Sequence, residues 1–302
     1  MNRRSLRVTP IINQHTDSIP KQAQKMHAVD EALERQYNNQ MLVPDHAIIA
    51  AHWQEDSRAF RARADSARDL AYGPAERHRL DIFHATNPRG TVVFIHGGYW
   101  RARDKADFSF VAAPFVEAGL SVATINYRLC PNVRVADVID DCRLALAWLV
   151  ANGAQHNVPV DRIALSGNSA GGHLVSMLFA TDWPARGVDA SVIVGGAAMS
   201  GVFDLTPLLH CSMNADLRLT SKGDAHAVSP AHLQPQVAAP LYLCVGADES
   251  EAFRQQTRLL HNAWPANCPQ VDEVAGCNHF TIVNHFAHTN SGAFQFIDGL
   301  FS

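Results

Sequence analysis

From residue 76 onward the chain alternates short, continuous apolar runs with longer amphipathic stretches. The runs lie at Thr91–Ile95, Ser121–Ile125, 162–166, 191–195 and 240–245. They lack the strict in-out alternation of a half-exposed strand, so each predicts a strand buried on both faces. Between them, 108–118, 135–151, 171–180 and 251–264 carry apolar residues at helical spacing. Strands alternating with helices in this way predict a mostly parallel α/β sheet of about eight strands with helices on both faces. Residues 80–84, ahead of the first run, are expected to add an antiparallel edge strand.

The first 75 residues have a different texture. The stretch 18–72 is rich in Ala, Glu, Gln and Arg, with apolar pairs at helical spacing (Ala28 and Leu33; Trp53 and Phe60) and a break at Pro44. Two or three helices are expected there. The change after Gly73-Pro74 divides the chain into an N-terminal helical extension or cap (1–75) and an α/β domain (76–302). The extension is expected either to shape substrate entry or to lie as a plain helical layer on the sheet.

Composition narrows the setting. With 302 residues, 47% hydrophobic and 18% charged, the chain has the length for one α/β core with an added segment. A formal charge of −4 and the lack of a Lys/Arg-rich run argue against a nucleic-acid partner. Arg3, Arg4 and Arg7 are followed by polar residues, which does not read as a secretory leader, and no apolar run has bilayer length. Six scattered cysteines in a chain with a large core are expected to be reduced thiols in a cytoplasmic protein. A homodimer is the default expectation for assembly.

The segment with most chemistry is Gly167-Asn168-Ser169-Ala170-Gly171, placed between a buried strand and an Ala/Leu/Val helix. A bare Gly-x-Ser-x-Gly is common by chance, but strand before and helix after is the context in which the serine projects from a sharp, strained turn. The neighbours two positions away must then lack bulk, which Gly167 and Gly171 satisfy. Such a turn also aims free helix N–H groups at a developing oxyanion. Without chemistry the same residues would be a glycine-rich turn, or a phosphate cradle.

Upstream, the run Thr91–Ile95 leads into His96-Gly97-Gly98-Tyr99-Trp100. Glycines at a strand end let amides face a carbonyl under attack, so Gly98, Tyr99 and Ala170 are the expected oxyanion donors. Gly97 is expected to serve conformation and His96 to tie down the loop, while Tyr99 and Trp100 are expected to line the substrate pocket. The competing reading for Trp100 is core packing.

A serine nucleophile needs a base and an acid. After the run 240–245 come Gly246-Ala247-Asp248-Glu249, two adjacent carboxylates of which Glu249, three residues after the glycine, is preferred to Asp248. His279, in the loop Ala275-Gly276-Cys277-Asn278-His279-Phe280, is the expected base. His173 is expected to pack beneath the site. His285 and His288 could join His279 in a zinc set, but no ligand spacing completes one, so no metal and no organic cofactor is expected.

These residues resemble the arylformamidase (kynurenine formamidase) branch of the α/β hydrolases, near the hormone-sensitive-lipase-like esterases. The resemblance runs through His96-Gly97-Gly98-Tyr99-Trp100, Asn126-Tyr127-Arg128-Leu129, Gly167 to His173, Ser200-Gly201-Val202-Phe203-Asp204-Leu205, Glu249 to Gln256, and Asn278-His279-Phe280. Tyr99 stands where the lipase-like esterases have a third glycine, which favours the formamidase side. In formamidases of this type the acid aligns with Glu249, where many members carry Asp. The resemblance implies an α/β-hydrolase fold, the chain order Ser–acid–His, and hydrolysis of N-formylkynurenine to kynurenine and formate. An aromatic-lined pocket would take the aryl group, with Tyr99, Trp100 and Trp53 as candidates. A carboxylesterase with the same triad, an acyltransferase and a non-catalytic hydrolase-fold binding protein are the alternatives.

Overall fold

A computed structural model describes residues 28–302; the basic start and the first part of the expected extension lie outside them. The chain enters through three helices, α1 (Glu31–Tyr37), α2 (Asn39–Leu42) and α3 (His46–Arg63). Eight strands follow: β1 (Ser66–Ala71), β2 (Arg79–Phe83), β3 (Thr91–Ile95), β4 (Ser121–Ile125), β5 (Ile163–Asn168), β6 (Ile193–Met199), β7 (Leu241–Gly246) and β8 (Val271–Val274). They form one sheet in the order β1-β2-β4-β3-β5-β6-β7-β8, with β2 antiparallel to both its neighbours and β3 to β8 parallel. The helices among them are α4 (Ala112–Glu117), α5 (Val135–Asn152), α6 (Ala170–Phe179), α7 (Asn214–Leu217), α8 (Lys222–Ala227), α9 (Glu251–Ala263), α10 (Thr281–Phe286) and α11 (Gly292–Gly299).

The period-two geometry of a strand sorts the sheet residues onto two cores. Val93, Ile95, Leu165 and Leu243 face α5, α6 and α9 in one cluster. Val92, Phe94, Ala164 and Cys244 face α3, α4, α10 and α11 in the other. Burial on both faces explains why β3 and β4 read as unbroken apolar runs. Helix α6 is buried at all ten positions, as expected of a helix held between the sheet and its neighbours.

Three expectations need correction. Residues 80–84 do contribute an antiparallel strand, but it is interior, because β1 pairs with its outer side. That edge strand, Ser-Ala-Arg-Asp-Leu-Ala, arises in a stretch expected to be helical; it has no fully buried position and no apolar alternation to betray it. The run expected at 191–195 becomes a 3-10 turn followed by β6, which extends through Gly195-Gly196-Ala197-Ala198. A side chain at Gly196 would come within 2.6 Å of the Leu165 carbonyl, so smallness there serves close strand packing rather than a loop.

Helix α3 is a structural part of the second core through Trp53 and Phe60, both buried. Among the described residues no helix is long and apolar enough to cross a membrane. All six cysteines are unpaired and buried.

Candidate active site

Strand β5 ends in a turn at Ser169 (φ 56°, ψ −122°), directly before α6. A positive φ is costly for a residue with a Cβ, and here packing imposes it. A Cβ at Gly171 would sit 1.9 Å from the Ile95 carbonyl oxygen, and one at Gly167 2.6 Å from the Gly171 backbone. Both glycines let the turn press against the end of β3. The Ser169 amide is held by the Met199 carbonyl at 2.8 Å.

The loop after β8 carries His279 to this turn. Its Nε2 lies 3.0 Å from Ser169 Oγ, and its Nδ1 lies 2.7 Å from Glu249 Oε2. Asn278 Oδ1 accepts from the amides of Phe280 (2.9 Å) and Thr281 (3.0 Å), which locks the backbone around the ring. The loop after β7 meets this one closely: a Cβ at Gly246 would be 2.1 Å from the Cys277 carbonyl oxygen. Glu249 Oε1 accepts from the Gly246 amide at 2.8 Å and from the Ser200 hydroxyl. Each carboxylate oxygen therefore has a donor, and the side chain cannot swing away from the imidazole. Asp248, its neighbour, points to solvent. Ser200 was not singled out for this task in the sequence; it follows β6 and reaches Glu249 only through the sheet order.

Gly98 (φ 113°), Tyr99 (48°) and Trp100 (56°) form a turn of positive φ after β3. Among the described residues the amides of Gly98, Tyr99 and Ala170 donate to no protein acceptor, as required of groups kept for a ligand. His96 is buried, stacks on Tyr127 at 4.4 Å between ring centroids, and bonds through Nδ1 to the Gly97 carbonyl at 2.7 Å. It braces the loop from behind, and burial holds its imidazole down to about 4.

Trp100 departs from its expected place on the pocket wall. It is fully buried and donates through Nε1 to His173 Nδ1 at 3.2 Å. His173 Nε2 in turn donates to the Val228 carbonyl at 2.7 Å, so the neutral ring uses both nitrogens, and burial pushes its pKa down to about 4. The consecutive positive-φ residues send Tyr99 forward and Trp100 back. Tyr99 lines the cavity and donates its hydroxyl to the Tyr37 carbonyl.

The cavity in front of Ser169 is about 320 Å³. Its aromatic lining is Trp53, Phe108 and Phe280 beside Tyr99, with Trp53 and Phe280 stacked at 6.0 Å. Its outer wall comes from Asn38, Asn39 and Gln40, from Arg101 and Arg103, and from Met213 and Asp216. None of these wall residues was predicted as a site residue, although Asn38-Asn39-Gln40 stands out as a polar run between two helices. Asn39 Nδ2 and Asn168 Oδ1 are buried there without protein partners. The N-terminal segment is tied down by Ser250 Oγ donating to the Gln36 carbonyl (2.7 Å) and Ser212 Oγ to Glu34 (2.6 Å).

Among the described residues His279, His285 and His288 do not converge as metal ligands. Asp204, His226 and His232 do approach one another elsewhere. The two rings stack at 3.8 Å with 26° between planes.

Comparison with known proteins agrees with this architecture. The BD-FAE family model matches residues 80–198. Kynurenine formamidase of Salmo salar is 27% identical over 262 residues, covering 82% of this chain and 86% of that protein. The kynurenine formamidase of Drosophila melanogaster is 25% identical, covering 76% and 79%. The crystal structure of a proposed thioesterase from Silicibacter sp. TM1040 superposes with a TM-score of 0.78 at 30% identity, covering 88% of this chain and 98% of that one. The carboxylesterase EstE1, from a metagenomic library, shares the fold at a TM-score of 0.64 and 16% identity. Sheet order, motif positions and relatives agree: the chain belongs to the α/β hydrolases and is a hydrolase among arylformamidase-like and esterase-like proteins.

Proposed function

We propose that this hydrolase is an arylformamidase-like serine enzyme that converts N-formylkynurenine to kynurenine and formate through a formyl-enzyme on Ser169. The observation that carries the reading is the hydrogen-bonded line from Ser169 Oγ (3.0 Å) through His279 to Glu249 (2.7 Å) beside an aromatic cavity. His279 Nε2 takes the Ser169 proton as Oγ attacks the formyl carbon. Glu249 orients the ring and stabilises the imidazolium, held for this by Ser200 and the Gly246 amide. The amides of Gly98, Tyr99 and Ala170 receive the oxyanion. His279 then protonates the departing aryl amine, and water, activated by the same ring, releases formate. The N-terminal wall acts as a cap over the leaving group. The same reading has the protein in the cytoplasm, in keeping with six free, buried thiols.

Extent of likeness supports the formamidase reading, since the kynurenine formamidases align over most of the chain. A carboxylesterase is the second reading, favoured by a 112-residue match at 32% identity, covering 36% of this chain, to a protein of Arabidopsis thaliana named a probable isoprenylcysteine alpha-carbonyl methylesterase. Turnover of N-formylkynurenine by the purified protein, measured beside short p-nitrophenyl esters, decides between them; activity on esters alone rejects the first. A fluorophosphonate probe tests the nucleophile. Labelling of the native chain that is lost in Ser169→Ala is expected, and no labelling at all would return the chain to a binding role.

A further inference from the structure

The charged groups of the cavity do not cancel. Arg101 and Asp216 neutralise each other at its rim, 2.6 Å apart. Glu249 is committed to His279, Ser200 and Gly246. Asp104, next to the cavity, accepts from Asn126 (2.7 Å), Ala106 (3.0 Å) and Arg77 (3.3 Å). Arg103 is left over. It lines the cavity, and among the described residues its guanidinium has no carboxylate and no hydrogen-bond acceptor, only the face of Trp53 at 5.9 Å.

The backbone holds this cation in place. Arg103 has φ 79°, a conformation costly for an arginine. It is kept there by Arg77 Nη2, which donates to its carbonyl at 2.9 Å, and by the anchored Asp104-Lys105 pair that follows, where the Lys105 amide donates to Asn126 Oδ1 at 2.7 Å. Its stem crosses the turn that presents the Gly98 amide: a Cβ at Gly98 would lie 2.9 Å from Arg103 Cγ. From there the side chain ends over Trp53, whose ring stacks on Phe280, and Phe280 packs edge-on against His279 at 5.7 Å. An aryl group held in this cavity beside the reacting pair therefore shares it with the Arg103 guanidinium.

We propose that Arg103 is an anion-binding residue of this pocket, selecting substrates whose aryl leaving group bears a carboxylate. The inference rests on Ser169 and His279 being the reacting pair, but not on formyl being the acyl group. A planar guanidinium with its donors free pairs with a carboxylate in two parallel hydrogen bonds. Half-burial over an aromatic ring lessens the screening that weakens surface pairs.

The test uses two matched substrate pairs: formanilide with 3-formamidobenzoate, and phenyl acetate with 3-acetoxybenzoate. In each pair that the native enzyme turns over, the anionic member is expected to have the lower KM. Arg103→Met, which keeps the stem against Gly98, should raise KM for the anionic member by about 10- to 100-fold. The loss should fall on KM more than on kcat, and the anionic member should lose at least tenfold more than the neutral one. Arg103→Lys should recover part of the preference, and added salt should erode it. Equal losses on both members, or a preference that survives in Arg103→Met, overturns the proposal. If only the ester pair is hydrolysed, the formamidase reading fails while this inference is still judged on that pair. If neither pair turns over, calorimetric binding of 3-hydroxybenzoate against phenol decides it. Loss of the benzoate's advantage in Arg103→Met supports the proposal, and an unchanged or absent advantage rejects it.

Discussion

The two walls of the cavity are built by different means. The rear wall, from the end of β3 through Ser169 to α6, is backbone against backbone. A single added methyl at Gly171 would fall 1.9 Å from a carbonyl oxygen, and buried His96 and His173 brace it from behind. The front wall, from residues 38–40 and 101–103 with Met213 and Asp216, is side chains, one ion pair at the rim and the Asn39 amide nitrogen without a protein partner. Chemistry needs donors held within a fraction of an ångström, which only close packing supplies. Selectivity needs groups that can be exchanged without disturbing that frame. The rear is therefore intolerant of substitution, and the front is where relatives can differ.

Substitutions can break that contrast. Ser169→Ala is expected to lower kcat by about 10⁴- to 10⁶-fold with little change in Tm; a fall of less than tenfold would remove the serine from the chemistry. Glu249→Gln should cost about 10³- to 10⁴-fold in kcat, because the imidazole loses its orienting and charge-balancing partner. Asp248→Asn, at a solvent-facing carboxylate, should be near native in the same assay. Gly171→Ala should destabilise the protein by about 3 kcal/mol or prevent folding, read as Tm or soluble yield; a native-like variant would show that the turn can yield.

Acid should loosen the rear before the front. The pKa values of His96 and His173 are lowered by burial to about 4, against 6.5 for a free imidazole. Between those values the unfolded chain binds protons that the fold refuses. The contribution of these two rings to stability is therefore fully present above about pH 6.5 and is lost as pH drops, by on the order of 3 kcal/mol per ring near pH 4. A Tm profile flat from pH 7 to pH 4.5 would contradict this. The smallest effect belongs to the front: Asn39→Ala removes an amide nitrogen that lacks an acceptor. It should leave Tm unchanged or slightly higher while KM shifts a few-fold.

Much of this arrangement could be read from the chain, for identifiable reasons. Strands β3 and β4 are legible because burial on both faces demands unbroken apolar runs. Helix α9 is legible because Phe253, Gln256, Thr257 and Leu260 recur at helical spacing and face inward. Edge strand β1 is not legible because an edge paired on one side needs no apolar pattern, and β6 begins and ends later than its apolar run because its small residues imitate a loop.

What the sequence determined by itself are the features that depend on local backbone demands: the glycine-flanked turn at Ser169, the twin-glycine turn after β3, and the loops that hold Glu249 and His279. Each is a short segment whose residue types are required by its own conformation. The tertiary structure alone decided that Ser200 holds the Glu249 carboxylate against the imidazole, that Trp100 turns inward, and that Arg103 reaches the cavity unpaired. Those outcomes depend on which side chains the sheet order brings together from distant segments, and no local pattern encodes a long-range contact or the direction in which a strained turn throws its side chains.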